Sequence, residues 1–433
     1  MNENKNIFIN KKILIYGIGK SGISTFNYLK KYNNIFLFDD NEKVKTNKNI
    51  FNKILDYNKI KKINFDIIIL SPGININNCK LKNFLKKNFK IIYTDLDVFY
   101  SFHSNICITI TGTNGKSTTC QLLYEVFKKQ GLDVKLAGNI GYPILSIKNI
   151  NHKSIFVIEA SSYQLDYSKL FRSKYAALLN ISVDHLERHK TLNNYISVKF
   201  KLIKNQKKNS IAFINKNDSF IKMKLKSNNY KSKIIKVNTR LNDKDLNIFK
   251  NNYFLSNSNK ENLSFVLEIS KKFKIKKRTL INVIKKFKGL KYRQQIIFEN
   301  KDISIINDSK STSYASSLEI LKKFENVYWM LGGIPKKGDK LNLPKNYNKN
   351  IKGFIFGKNQ KKFSLDLKNK IKYKKFSNLK NALNGVFQDI KKESSYKKII
   401  LFSPAAASFD SFKNFEDRGL YFDKLVKKRI NGR

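Results

Sequence analysis

The stretch ICITITGTNGKSTTCQLLYEVFKKQ, residues 106–130, decides the fold. An apolar, β-branched run over Ile106–Ile110 predicts a buried strand, and a helical pattern over Lys116–Gln130 follows a glycine-rich loop. Glycines let backbone N–H groups turn toward a phosphate, and the start of a helix adds partial positive charge. We therefore predict a nucleotide-phosphate loop formed by Gly112, Thr113, Asn114, Gly115, Lys116, Ser117 and Thr118.

Two residues of this loop have side chains suited to a triphosphate. Lys116 is placed to neutralise the β- and γ-phosphates, and the Ser117 hydroxyl is placed to ligate Mg²⁺. The loop is shorter than the common G-x-x-x-x-G-K form. The order of strand, loop and helix nevertheless makes an ordinary glycine-rich turn the weaker interpretation.

Polar side chains follow two further predicted strands. Glu159 ends the run Ile155–Ile158, and the run Ala176–Asn180 leads into Asp184 and His185. Because parallel strands present their carboxyl ends at one edge of the sheet, these side chains are expected to converge on the phosphate loop. Taken alone, Glu159 is equally consistent with a solvated carboxylate at a strand end. The convergence favours an ATP and magnesium site.

The whole chain alternates short apolar runs with longer helical patterns, which predicts an α/β fold with parallel sheets. At 433 residues it is long enough for roughly three domains. We predict a Rossmann-like domain over residues 1–95, a central P-loop ATPase-like parallel-sheet domain over 96–290, and a second Rossmann-like domain over 291–433. The segment from Lys216 to Asn252 is polar and is left without an assignment.

The predicted elements outside the central loop are as follows. Further strands are expected at Lys12–Gly17, Ile35–Phe38, Ile67–Leu70, Ile91–Tyr93, Ile211–Ile214, Ile303–Ile306, Val327–Leu331, Gly353–Phe356 and Ile399–Phe402. Further helices are expected at Lys20–Lys31, Leu192–Lys204, Glu261–Lys272, Lys277–Lys286, Ala315–Lys323 and Leu379–Asp389.

The first block carries a weaker nucleotide signal. Gly17, Gly19 and Gly22 follow the first strand and open a helix, and Asp39 and Asp40 end the next strand. This spacing matches the dinucleotide-binding fingerprint in outline. Because many βαβ units with such glycines bind other nucleotides, the cofactor stays open at this point.

The composition excludes several classes of protein. Three cysteines without paired spacing predict no disulfide scaffold, and no apolar run reaches the roughly 20 residues of a spanning helix. The N-terminus lacks a signal peptide, so we expect a cytoplasmic protein without membrane insertion. The formal charge of +54 raises the alternative of a basic nucleic-acid-binding protein. The lysines are spread along the chain and accompany Asn, Ile, Phe and Tyr, which share A/T-rich codons. This pattern favours codon bias as the origin of the positive charge, and we expect no specific nucleic-acid partner.

Several runs together resemble the Mur ligases. They are GTNGKST (residues 112–118), EASSYQLD (159–166), NISVDHLERH (180–189), NDSKST (307–312) and SPAAASFDSFKNFEDRG (403–419). The last two runs resemble the members that add D-glutamate to UDP-N-acetylmuramoyl-L-alanine in peptidoglycan synthesis. A sister ligase that adds another amino acid is the nearest alternative.

The resemblance implies a mechanism and its cofactors. ATP phosphorylates the substrate carboxylate to an acyl phosphate, and the amine of D-glutamate then displaces phosphate. Lys116, His185 and Lys199 would be catalytic. Ser117 and Glu159 would hold one Mg²⁺, and His185 with a carbamylated Lys199 would hold a second.

The resemblance also assigns binding residues to the small-molecule substrates. ATP would contact Asn262, Arg293 and Asp308 besides the loop. The UDP-sugar would contact Lys20, Ser21, Asp39, Ser71, Pro72, Gly73 and Asn139. D-glutamate would contact Lys310, Thr312, Lys336, Ser408 and Phe415. Tyr292 and Asn41 stand where the family usually has His and Arg. The enzyme is expected to act as a monomer.

Overall fold

Three β-sheets with flanking helices build the protein. The computed structural model describes residues 5–41, 51–226, 229–242, 246–336, 338–343, 350–393 and 397–431. Two compact units contain them, Met1–Phe287 with the first two sheets and Lys288–Arg433 with the third. The predicted α/β fold with parallel sheets is confirmed.

The N-terminal sheet has four parallel strands in the order β2-β1-β3-β4. Its central strands β1 and β3 are uninterrupted apolar runs because helices cover both faces of a parallel sheet. The elements are β1 Lys12–Tyr16, α1 Lys20–Leu29, β2 Asn34–Phe38, α2 Tyr57–Lys61, β3 Ile67–Leu70, α3 Lys82–Lys87 and β4 Ile92–Tyr93.

The central sheet has six parallel strands in the order β10-β9-β8-β5-β7-β6. Strand β5, which enters the phosphate loop, lies between β8 and β7, so the three strand ends meet at one edge as predicted. The elements are α4 Asp95–Phe102, β5 Ile106–Thr111, α5 Lys116–Lys129, β6 Val134–Gly138, β7 Ile155–Glu159, α6 Ser162–Asp166, β8 Tyr175–Leu178, α7 Leu186–His189, α8 Leu192–Lys204, β9 Ile211–Asn215, α9 Ser219–Lys226, β10 Lys233–Val237, α10 Asn257–Lys272 and α11 Lys277–Lys286.

The C-terminal sheet also has six strands, in the order β11-β12-β16-β13-β14-β15. Among the strands formed by described residues, only β11 runs antiparallel to its neighbour. The elements are β11 Gln295–Glu299, β12 Ile303–Asn307, α12 Tyr314–Leu321, β13 Val327–Gly332, β14 Ile351–Phe356, α13 Gln360–Leu367, β15 Lys372–Phe376, α14 Leu379–Lys391, β16 Lys398–Phe402 and α15 Phe415–Asn431.

A buried carboxylate joins the first two sheets. Asp97, on the helix α4 between them, is fully buried. Its Oδ2 accepts hydrogen bonds from Thr94 N at 2.9 Å and Thr94 Oγ1 at 3.0 Å. Its Oδ1 accepts from Ser168 Oγ and from the backbone N–H groups of residues 169–171 at 2.7 to 3.0 Å. We call this arrangement the Asp97 clamp.

The sequence-based prediction missed four strands. They are β6, β10, β11 and β15, and each lies at the edge of its sheet. An edge strand is covered on fewer sides, so its sequence lacks the long apolar run that marks a central strand; β15, for example, reads KYKKF. Strand β10 and helix α9 lie in the polar segment from Lys216 to Asn252, for which the sequence predicts no element.

Element boundaries need small corrections. Helix α10 begins at Asn257, four residues before the predicted start, because Ser256 Oγ accepts a hydrogen bond from Asn259 N and caps it. The other predicted bounds lie within two residues of the structure. The second unit begins at Lys288, and the division into domains at residues 95/96 and 290/291 stays a prediction.

Candidate active site

The phosphate loop has a conformation that requires glycine. Gly115 has φ of +80° and precedes α5, and a Cβ atom there would lie 1.9 Å from Asn262 Oδ1. Asn262 is buried and its Oδ1 accepts from Thr119 Oγ1 at 3.4 Å. The structure therefore brings the predicted ATP residue Asn262, on α10, against the loop.

The strand β8 end holds the loop from the other side. Thr113 N donates to Asn180 O at 2.9 Å, and Asn114 N donates to Asn180 Oδ1 at 2.8 Å. The predicted strand Ala176–Asn180 therefore ends early, at Leu178, and leaves Asn180 to contact the loop. Sequence reasoning did not single out Asn180.

Two lysines meet at one carbonyl oxygen of this loop. Lys116 Nζ donates to Gly112 O at 2.8 Å and to Thr113 O at 2.7 Å. Lys199 Nζ, from helix α8, donates to the same Gly112 O at 2.8 Å. The two amines are therefore close enough to repel each other when both are charged.

Burial makes Lys199 unusual among the many lysines. Its side chain is 1% exposed, and Nζ lies 4.5 Å from the centre of the Tyr195 ring. Burial lowers the pKa of Lys199 well below its usual value, and the Lys116 charge lowers it further, against the opposite effect of Asp184 and Glu159. Burial and the neighbouring Lys116 charge thus both favour the neutral amine of Lys199.

Buried oxygen atoms at the end of β7 suit a hard cation. Glu159 is 1% exposed; its Oε2 accepts from Ser117 Oγ at 2.6 Å and its Oε1 from Asn139 Nδ2 at 2.8 Å. A carboxylate beside a hydroxyl matches the oxygen ligands that Mg²⁺ prefers, with phosphate and water oxygens completing the shell. Within the described ranges, no group of three His, Cys, Asp or Glu side chains is placed to hold a metal.

His185 lies at the start of α7 with a left-handed backbone, φ 53°. Its Nε2 is 3.3 Å from Asp184 Oδ2, and its Nδ1 is 3.0 Å from Tyr163 OH. The ring centres of His185 and Tyr195 are 6.3 Å apart. His185 and Lys199 therefore border the same tyrosine ring.

The glycine turn of the N-terminal sheet is closed by its own acidic residue. Asp39 Oδ2 accepts from Ile18 N at 2.6 Å, and its Oδ1 accepts from Asn41 N at 2.9 Å. Ser71 Oγ donates to Gly17 O at 2.6 Å, so the ends of β1, β2 and β3 meet here. Asp39 thus stabilises the turn, and its role toward a nucleotide stays a prediction.

The other residues predicted to bind the UDP-sugar are accessible in different degrees. Lys20 and Ser21 form the first turn of α1. Lys20, Gly73 and Asn139 are exposed, whereas Ser21, Ser71 and Pro72 are half-buried. Asn139 differs from the rest because its amide is engaged with Glu159.

In the C-terminal unit, Asp308 is a buried carboxylate. Its Oδ2 accepts from Ser403 Oγ at 2.8 Å and its Oδ1 from Gln294 N at 3.1 Å. Burial raises the pKa of Asp308 to about 7, with the hydrogen bond from Ser403 and the charge of Arg293 opposing it. Arg293 itself is half-buried.

This shift predicts a pH-dependent stability. The folded pKa of about 7 lies above the unfolded value of about 3.9, so the unfolded state binds fewer protons and stability falls as pH rises from about 4 to 7. Asp308→Asn should lose less stability than the wild type between pH 5 and 8, by on the order of 2 kcal/mol. Urea unfolding at both pH values, with exposed Asp302→Asn as control, measures this. Parallel losses in all three proteins would refute it.

The residues predicted to hold D-glutamate are partly brought together. Lys310 Nζ lies 4.1 Å from the centre of the Phe415 ring. Ser408 is buried, whereas Thr312 and Lys336 are exposed. The contact between Lys310 and Phe415 supports their assignment to one pocket, and the complete set stays a prediction.

Sequence reasoning missed Arg418. Its guanidinium is 1% exposed and donates to Ser309 O at 2.8 Å, Ala406 O at 3.0 Å and Ser309 Oγ at 3.1 Å. It ties together the loops after β12 and β16. The sequence does indicate that Arg418 is buried, because Arg418, Phe422 and Val426 follow each other at a spacing of four residues and so share the buried face of α15.

Comparisons with known proteins show the family of the chain. Residues 110–283 match the family model of the Mur ligase middle domain, and residues 11–93 match that of the Mur ligase MurD-like N-terminal domain. A UDP-N-acetylmuramoylalanine--D-glutamate ligase from Rickettsia prowazekii is 35% identical, covering 98% of this chain and 99% of the relative. The enzyme of the same name from Buchnera aphidicola is 36% identical, covering 97% and 99%.

Solved structures share the fold at lower identity. The UDP-N-acetylmuramate-alanine ligase MurC from Thermotoga maritima has a TM-score of 0.55 at 15% identity, covering 98% of this chain and all of that chain. MurF ligase from Thermotoga maritima in complex with ADP also has a TM-score of 0.55, at 13% identity, covering 98% and 99%. Among the described helices, none has the length and apolarity needed to cross a bilayer.

Proposed function

The chain belongs to the Mur ligase family, and on that premise we propose that it joins D-glutamate to UDP-N-acetylmuramoyl-L-alanine at the expense of ATP, in peptidoglycan synthesis. The relatives that carry this name match nearly the full chain, which confirms the predicted family and ligase activity. The structural observation that carries the proposal is the phosphate loop with Lys116 beside the buried pair of Ser117 and Glu159.

The reaction proceeds in two balanced steps. The carboxylate of the sugar nucleotide attacks the γ-phosphorus, an acyl phosphate forms, and ADP leaves. The D-glutamate amine then attacks the acyl carbon, loses a proton and expels phosphate, so that an amide bond forms. Phosphoryl transfer of this kind needs positioning and charge neutralisation more than covalent help from the protein.

The chain's own groups supply both requirements at the loop. The N–H groups of Thr113 and Asn114 are taken by Asn180, so the start of α5 would supply the N–H groups for the phosphates, and Lys116 would exchange its bonds to Gly112 O and Thr113 O for phosphate oxygens. Ser117 and Glu159 would hold one Mg²⁺, which when bound neutralises phosphate charge. Asn139 donates to Glu159 and keeps the carboxylate oriented toward Ser117.

A second Mg²⁺ would be held by His185 and a carbamylated Lys199. A neutral amine attacks carbon dioxide, a nitrogen–carbon bond forms and one proton is released. The buried amine of Lys199, whose pKa is lowered, is suited to that step. The product is a carboxylate-like oxygen ligand, which a hard cation prefers.

Carbamylation of Lys199 gives a direct prediction. Wild-type protein in ¹³C-bicarbonate should show a carbamate carbon signal by NMR, and Lys199→Met should lose both the signal and at least about 100-fold in kcat. Lys201→Met is the matched control, because Lys201 lies on the same helix and is also partly buried. A fully active wild type without the signal would contradict the assignment.

We propose that the substrate pockets are formed by the residues that the family resemblance assigns to them. The UDP-sugar would contact Lys20, Ser21, Asp39, Ser71, Pro72, Gly73 and Asn139. D-glutamate would contact Lys310, Thr312, Lys336, Ser408 and Phe415, and ATP would contact Asn262, Arg293 and Asp308. Ammonium and hydroxyl groups suit a dicarboxylate, and the buried charge of Arg418 adds to the positive potential of that pocket. We further propose a cytoplasmic monomer.

One assay separates this function from its alternatives. ADP release with UDP-N-acetylmuramoyl-L-alanine is measured with D-glutamate, L-glutamate, L-lysine or L-alanine. Turnover with D-glutamate alone is expected, whereas turnover with another amino acid would indicate a sister ligase. Absence of turnover combined with steeply salt-dependent, nanomolar RNA binding would favour a nucleic-acid-binding protein.

A further inference from the structure

We propose that Tyr163 is a positioning residue for His185: its hydroxyl holds Nδ1, so that Nε2 and the Asp184 carboxylate face one divalent cation. The proposal rests on the proposed function, in which His185 is a metal ligand. It adds a residue that touches neither nucleotide nor metal. Tyr163 lies on α6, directly after the strand that ends in Glu159.

The hydrogen bond leaves one ring nitrogen for a ligand. Tyr163 OH is 3.0 Å from His185 Nδ1 and 3.4 Å from Glu187 Oε1, and the same Glu187 oxygen is 3.4 Å from Nδ1, so the tyrosine makes the shorter of the two contacts to Nδ1. A phenol can accept one hydrogen bond and donate another, so Tyr163 OH can accept from a protonated Nδ1 while it donates to the Glu187 carboxylate. His185 Nε2 then carries a lone pair, as a metal-binding imidazole requires.

The spacing on the other side of the ring fits a cation. His185 Nε2 and Asp184 Oδ2 are 3.3 Å apart. Adjacent ligands of an octahedral Mg²⁺ at about 2.1 Å are separated by about 3 Å. With the proton on Nδ1, both of these atoms are acceptors, and a cation between them would relieve their repulsion.

A buried arginine fixes the tyrosine ring. The Arg188 guanidinium lies 4.9 Å from the centre of the Tyr163 ring and 5.2 Å from that of Tyr167. Arg188 is 8% exposed, and its Nε is 3.6 Å from Asp166 Oδ2. Since cations interact favourably with aromatic faces, this packing orients the Tyr163 hydroxyl toward His185.

The test uses full-length protein and Mn²⁺, followed by electron paramagnetic resonance of the free ion. His185→Ala should abolish one Mn²⁺ site. Tyr163→Phe keeps the ring but removes the hydroxyl, and should lower the Mn²⁺ affinity of that same site by about tenfold. Its ADP release should be low at limiting Mg²⁺ and recover as Mg²⁺ is raised. Tyr167→Phe, the other ring against Arg188, should bind Mn²⁺ like the wild type.

The outcomes separate this inference from the function. Unchanged Mn²⁺ affinity in Tyr163→Phe would overturn the positioning role even if the wild type is an active ligase. Absence of ligase turnover in the wild type would sink the function instead. If Tyr163→Phe folds poorly, ¹⁵N NMR of the wild type with Mg²⁺ decides: a protonated Nδ1 and a ligated Nε2 are expected, and Mg²⁺ on Nδ1 would overturn the proposal.

Discussion

Lys116→Ala is expected to lower the rate of acyl-phosphate formation by at least about 1000-fold, because it removes the positive charge that is pre-placed for the γ-phosphate. The Lys116 ammonium donates to Gly112 O and Thr113 O, and Gly112 O also accepts from Lys199, so the substitution leaves only Thr113 O without this donor and does not touch the hydrophobic core. Quenched-flow trapping of the acyl phosphate measures the step. The thermal unfolding midpoint should change little.

Lys129→Ala is the control for that variant. Lys129 lies on the same helix α5 but at its far end, where it is exposed. It removes one charge from the chain without touching the loop, so its rate should match the wild type. A Lys116→Ala protein that still forms the acyl phosphate at a comparable rate would remove the phosphate-loop assignment.

Asp97→Asn is expected to lower the free energy of unfolding by at least about 3 kcal/mol. The clamp aims N–H and O–H donors at both oxygens of Asp97. An amide group turns one acceptor into a donor, so that buried N–H groups on one side are left without a partner whichever way it is turned. Urea unfolding at pH 7 measures the change.

Asp95→Asn is the matched control because Asp95 is buried on the same turn of α4. Burial raises the pKa of Asp95 to about 6, so its charge is less favourable in the folded than in the unfolded protein, and neutralisation should cost little stability. A loss for Asp97→Asn that is no larger than that for Asp95→Asn would show that the clamp is replaceable.

Central strands and the phosphate loop can be predicted from the sequence for a physical reason. Strands such as β3, IIIL, are buried on both faces and leave an uninterrupted apolar run. The loop combines glycines and a lysine at a fixed spacing, which few other structures require. The edge strands β10 and β15 mix lysine with apolar residues, so their pattern resembles a solvated segment.

The roles of residues that act through tertiary contacts cannot be predicted in the same way. Arg418 and Asp97 look like ordinary surface charges until the fold surrounds them with carbonyl oxygens or N–H groups. Lys199 is one lysine among many, and only the family resemblance singled it out. For Asp39 the spacing was correct, but the structure uses its carboxylate to close the glycine turn.

The shared carbonyl oxygen of Gly112 has a consequence for regulation by a dissolved gas. A charged Lys199 would repel Lys116 at that atom, which favours the neutral amine, whereas a carbamate on Lys199 would be attracted to Lys116. Uptake of carbon dioxide by the amine would then replace a repulsive neighbour of Lys116 by an attractive one. If the proposed carbamate forms, ligase activity should be low in protein kept free of carbon dioxide, and adding bicarbonate should restore it.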